Sequence, residues 1–163
     1  VLIKMFGPIS GAHFNPAVSM VFFLRKELNF KNLLTYIAYQ MLGGIVAVIS
    51  IHYIFEMEIF QVSTNIRGEI PLLLSEIIAT TGLILTILFV RKNDEASVAT
   101  AVALFITAGY WFTSSTSFAN PMVTISRIFT DTFTGIAPAS IPYFLGGQMI
   151  AIFIADFVYK RFE

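Results

Sequence analysis

The chain has 163 residues, 56% of them hydrophobic and only 12% charged, and a mean hydropathy of +0.79. That charged share is about half the ~25% of an ordinary soluble domain, too little to give a fold of this size a solvated surface, so the composition points to the bilayer as solvent. Ten basic residues balance ten acidic ones, which leaves no net field to gather nucleic acid, and the lack of cysteine excludes disulfides, thiolate chemistry and cysteine-held metals.

In chain order, the opening VLIKMFGPIS starts on Val, shows no signal-peptide pattern and is too short and interrupted to span. GAHFNPAVS (11–19) follows. Pro16 suits the first position of a helix, where its missing N–H would be unpaired anyway, and Asn15 suits the N-cap, its side-chain oxygen taking a first-turn N–H. The apolar run from Pro16 to Leu24 would be only about 14 Å long as helix, half of a hydrocarbon core of about 30 Å. Full spans are predicted over residues 33–55, 71–90, 97–113 and 142–159, as helices because irregular backbone cannot face lipid. Between the third and fourth, SFANPMVTIS (117–126) repeats the earlier device: Asn120 and Pro121 open a second short run, residues 121–130, about 15 Å long.

Lys and Arg set the orientation. With four full spans and two short segments that enter and return, Lys4, Arg25, Lys26, Lys31, Arg91, Lys92, Lys160 and Arg161 all fall on one side, which is then cytoplasmic. Arg67 and Arg127 fall on the other. The half-helices therefore enter from opposite faces. NPAVS matches NPMVT, and YIAYQMLGGIVA (36–47) resembles YFLGGQMIAIFIA (143–155), with Gln40 against Gln148 after a three-residue insertion. A half-helix followed by a full span thus occurs twice in opposite orientation, the inverted-topology repeat of a pore or transporter. By symmetry, two further spans are expected ahead of the first half-helix. The chain then reads as one N-terminally incomplete channel domain over residues 1–163, expected to form no sealed pore by itself.

Two half-helices meeting N-terminus to N-terminus bring about half a positive charge each to the midplane, which repels cations. With each Asn oxygen engaged in capping, its NH2 is expected to be free to point into the lumen. The non-helical approaches, Gly11, Ala12, His13 and Phe14 and then Thr116, Ser117, Phe118 and Ala119, are expected to line a wet cavity with their carbonyls. Donors and acceptors so arranged suit small uncharged solutes. No nucleophile–base pair, metal cluster or phosphate loop is present, so neither enzymatic activity nor a cofactor or metal is expected. A coupled secondary transporter is the alternative, for which Glu76 is the one ionisable group clearly at depth.

SGAHFNPAVS, FANPMVTISR and SEIIATTG together closely resemble the aquaporin (major intrinsic protein) family over the whole chain from the first half-helix onward. The resemblance implies an all-α, multi-pass protein of the plasma (inner) membrane: a right-handed helix bundle of six spans and two half-helices, here four spans plus two half-helices. It also implies a passive channel and a homotetramer with one pore per subunit. Carried over, Asn15, Pro16 and Ala17 and then Asn120, Pro121 and Met122 form the two pore motifs, and His13 and Glu76 brace the pore loops. In the family an Arg usually stands three positions after the second Asn, where this chain has Val123. The other visible constriction positions are Ala108 and Ser117. Small or apolar side chains at all three imply a wide constriction, favouring glycerol or metalloid hydroxides such as arsenite over water alone. Arg127, one turn beyond Val123, has two readings: lining the outer vestibule, or an i,i+4 pair with Asp131. Asp156 is expected to pair with Lys160, and Gly43 with Ala47 and Gly147 with Ala151 to mark close helix packing.

Overall fold

A computed structural model describes residues 1–163 throughout. It contains seven α-helices and no strand: α1 (Leu2–Ser10), α2 (Pro16–Leu24), α3 (Phe30–Ile54), α4 (Ile70–Asn93), α5 (Val98–Phe112), α6 (Pro121–Ser126) and α7 (Ile141–Lys160). Short 3-10 turns precede α5 and α7 and follow α6. Four of the helices, α5 taken with its leading turn, are long and apolar enough to cross a membrane.

No element was expected over residues 1–10, yet α1 forms there despite the interior Pro8. It ends where Gly11 turns left-handed (φ 70°) and its N–H reaches Gly7 O at 2.8 Å, a conformation that only glycine adopts without a Cβ penalty. The first half-helix has the expected ends. The second is shorter as α-helix, six residues, and tightens to a 3-10 turn over Arg127–Phe129. α3 begins three residues early because the Asn29 side chain accepts from Asn32 N–H at 2.8 Å. α4 runs three residues past 90, its last turn holding Arg91 and Lys92 where cations suit the helix dipole.

The centre is the pairing of α4 with α7. Gly147 makes it possible, since a Cβ there would sit 2.5 Å from Leu73 O and 2.9 Å from Glu76 Cβ. Against this pair α2 wedges Ala17 and Val21 onto Ile84, Leu88, Ile152 and Ala155. Most of α3 and α5 stays uncovered; α3 buries only Leu33, Gly44 and His52. The expected close packing therefore holds for Gly147 and Ala151 and fails for Gly43 and Ala47, which are exposed. It is Gly44 that approaches a neighbour, since a Cβ there would clash with Met122 Sδ and Ser126 Oγ of α6.

The expected charge asymmetry has a physical counterpart. Arg25 meets Glu163 at 2.5 Å, Arg91 meets Glu27 at 2.6 Å, and Lys160 meets Asp156 at 2.6 Å, which gathers the ends of α2, α4 and α7 at one pole. Arg67 and Arg127 share the Phe118 ring, away from that network.

Candidate permeation site at the half-helix junction

Each short helix starts on an Asn-Pro pair, and the two starts have the same geometry. Asn15 (φ −155°, ψ 119°) accepts from Ala17 N–H at 2.9 Å, and Asn120 (φ −159°, ψ 112°) from Met122 N–H at 3.0 Å. One turn on, Ser19 and Thr124 each donate a hydroxyl to the carbonyl of their Asn at 3.2 Å. Behind them Gln40 donates to Ser19 Oγ at 3.0 Å and Gln148 to Thr124 Oγ1 at 2.8 Å. The Gln pairing seen in the sequence repeat is thus a repeated brace, from a full span to its own half-helix. Ser19 and Thr124 were not singled out from the sequence, although the fifth letter of NPAVS and NPMVT carried the signal.

The two tips are joined. Asn15 Nδ2 donates to Ala119 O at 2.7 Å, and Asn120 Nδ2 donates to Phe14 O at 2.9 Å. This corrects the expectation that each amide NH2 is wholly free: one N–H of each crosses to the opposite loop, leaving one per side chain. The reason is electrostatic. A carbonyl at each loop's end lies where the two positive helix termini converge, and an amide hydrogen satisfies it there.

The approaches to both tips are strained in the same places. Ala12 and Phe14 have φ 46° and 50°, and Ser117 and Ala119 have 47° and 46°, at the third and first positions before each Asn; Thr116 adds φ 60°. A left-handed non-glycine residue costs roughly 1–2 kcal/mol, and such strain persists only where surrounding bonds impose it. In the second loop those bonds come from α4: Glu76 Oε1 takes Phe118 N–H and Oε2 takes Ala119 N–H, both at 2.9 Å, and Gln148 Nε2 adds a bond at 2.6 Å. Neighbouring Ser75 accepts from Ser115 N–H at 3.0 Å. In the first loop His13 Nδ1 meets Ser19 Oγ at 3.0 Å, its ring stacked on Phe22 and tilted against Tyr36. The carbonyls of Gly11, Ala12, His13, Thr116, Ser117 and Phe118 accept no hydrogen bond within the chain.

A cavity of about 930 Å³ opens at the charged pole between Lys4, Glu27, Arg91 and Glu95 and reaches Asn15 and Asn120. Gly11, Ala12, His13 and Phe14 line it, whereas Thr116, Ser117, Phe118 and Ala119 do not. The three constriction candidates have different surroundings. Ser117 is buried where a Cβ on Gly109 would meet its Oγ at 2.6 Å, Val123 is half-buried against the Phe118–Ile136–Phe144 cluster, and Ala108 is exposed. Arg127 does not pair with Asp131: its Nη1 donates to Thr134 O at 3.3 Å and its Cζ lies 4.3 Å from the Phe118 ring centroid. Asp131 instead accepts from Thr64 N–H at 2.8 Å. Burial lowers the pKa of Arg67, in the segment between α3 and α4, from the usual guanidinium range.

Two opposed half-helices, tip-bonded inside four apolar spans, define an inverted-repeat helical membrane protein. A family model described as Major intrinsic protein matches residues 1–108. Aquaglyceroporin AqpS of Rhizobium meliloti (strain 1021) is 42% identical over 150 residues, covering 92% of this chain and 64% of that protein. The glycerol uptake facilitator protein of Bacillus subtilis (strain 168) is 32% identical over 100 residues, 54% of this chain and 36% of that protein. Aquaporin NIP3-1 of Arabidopsis thaliana is 41% identical over 58 residues, 36% of this chain and 18% of that protein. The chain therefore belongs to the major intrinsic protein family, and it spans under two thirds of the length of each of these relatives.

Proposed function

We propose that the chain is part of a passive channel for small uncharged solutes such as glycerol, in the plasma membrane and as a homotetramer with one pore per subunit. The observation that carries this reading is the junction itself, with Asn15 and Asn120 each capping a half-helix and crossing to the other loop. A solute hydroxyl there meets one remaining N–H from each asparagine and, on the first-loop side, unpaired carbonyls along the cavity wall. The converging positive helix ends oppose cations. Exclusion of protons and passage of water or of arsenite-like hydroxides are finer parts of the same proposal: the converging helix ends support the first, and Val123, where the family usually has arginine, supports a constriction wide enough for the second.

The transporter alternative needs a carboxylate free to change its protonation. Glu76 accepts two backbone N–H groups and a glutamine amide, which favours a bracing role. The test is stopped-flow light scattering of proteoliposomes made with the full-length protein. Glycerol equilibration faster than in empty vesicles, unsaturated at high glycerol and independent of any ion gradient, supports the channel. Flux that requires an ion gradient overturns it, and water flux outpacing glycerol overturns the wide-constriction reading.

A further inference from the structure

We propose that Arg67 and Arg127 form a binding site for a small oxyanion at the outer pole, separate from the half-helix junction. Arg67 comes from the segment between α3 and α4, and Arg127 from the turn after α6. Both pack on one ring, with Cζ 5.6 Å and 4.3 Å from the Phe118 centroid, and Arg67 also lies 5.7 Å from Phe144. Each spends one donor on a backbone carbonyl, Arg67 Nη2 on Ser114 O at 3.2 Å and Arg127 Nη1 on Thr134 O at 3.3 Å.

The remaining N–H groups have no carboxylate to meet. Every ion pair of the chain involves Arg25, Arg91 or Lys160 at the opposite pole. Asp131, four residues past Arg127, is taken up by Thr64, and the Glu76 oxygens are occupied by Phe118 and Ala119 N–H. Two half-buried guanidinium groups lie against one ring, an attractive contact for each, and a guanidinium presents its N–H donors in pairs suited to oxyanions. With Glu76 engaged by backbone N–H groups and no carboxylate in ion-pair contact with either arginine, a tetrahedral or carboxylate oxyanion supplies paired acceptors and a charge in direct contact. The proposal does not depend on the channel reading, because binding is measured directly.

The test is calorimetric titration of sodium sulfate into the full-length protein in nonionic detergent at low ionic strength, with sodium chloride at matched ionic strength as reference. Saturable sulfate binding is expected, weakened about tenfold or more by Arg67→Gln and by Arg127→Gln, and unchanged by Arg161→Gln at the other pole. Should Arg127→Gln fail to fold, Arg67→Gln, in the segment between α3 and α4, carries the comparison. Anionic phospholipid added to the detergent distinguishes a headgroup from a free oxyanion: a site that prefers free oxyanions keeps its sulfate affinity, and one that headgroups occupy loses it, which overturns the assignment to a soluble ligand. Sulfate binding no tighter than chloride, or equal in the Arg67→Gln and wild-type proteins, overturns the site itself.

Discussion

At the scale of single residues, the junction depends on side chains that hold backbone, and Glu76 holds the most. Glu76→Gln replaces a carboxylate that accepts on both oxygens with an amide that accepts on one and turns an NH2 toward Gln148 or a loop N–H. Hydrogen bonds to a charged group contribute about 1.5–3 kcal/mol each. The variant is expected to melt at a clearly lower temperature in detergent and to lose about tenfold or more of glycerol flux, and unchanged flux would remove Glu76 from the bracing role. The asparagines make a sharper case, because each bonds the carbonyl next to the other. Asn15→Ala and Asn120→Ala each lose a cap, about 1 kcal/mol, together with half of one shared junction. Their effects should couple by roughly 0.5–3 kcal/mol in a double-mutant cycle on detergent stability, and strict additivity would mean that the tips are independent. The Asn-Pro starts were readable because capping is local chemistry. Arg127 was not: the expected pair with Asp131 presumes a continuous helix, and here the helix tightens to 3-10 at Arg127 and turns extended at Thr130.

Among whole elements, packing rests on where a helix can tolerate a Cβ, and three glycines grade that tolerance. Gly147→Ala drives a methyl toward the Leu73 carbonyl and Glu76 Cβ, rigid parts of α4, and should cost about 1–3 kcal/mol as overpacking. Gly44→Ala meets the flexible ends of Met122 and Ser126 and should cost less, and Gly43→Ala, inside α3 with nothing within 4 Å, should hold or slightly raise the melting temperature because Ala favours the helix. A thermal ranking with Gly43→Ala as the most damaging would contradict this placement of α3 against α6. The sequence identified small residues at a four-residue spacing in both repeats, but spacing carries no phase. In α7 the matching face turns inward, while in α3 the contact slips to the adjacent Gly44. Helix types and half-helix lengths were legible because hydropathy and the proline starts act within a segment. The identity of each contacting face depends on a neighbour, and so does α1, which stops at a left-handed glycine and is tied by the Tyr36 hydroxyl to Ser10 O.

For the molecule as a whole, the repeat and the charge distribution are two readings of one topology, and they can be tested apart from any transport. The repeat requires α2 and α6 to approach each other from opposite faces, and the crossed amide–carbonyl bonds have that geometry. The charges predict which face is which: the paired arginines and lysines at the ends of α2, α4 and α7 are expected at the cytoplasmic pole, since Lys and Arg are retained on that side. The chain has no cysteine, so single thiols report position without background. Ala96→Cys in the exposed turn before α5 and Phe133→Cys, at a side chain 92% exposed beyond α6, avoid every ion pair and every hydrogen bond of the junction. A membrane-impermeant maleimide added to intact cells is expected to label Phe133→Cys and spare Ala96→Cys until the membrane is opened. The reverse pattern would keep the repeat and invert its orientation. Labelling of both positions in sealed cells would place the two ends of α5 and its following half-helix on one side, which a spanning α5 forbids, and the inverted repeat would fall with it.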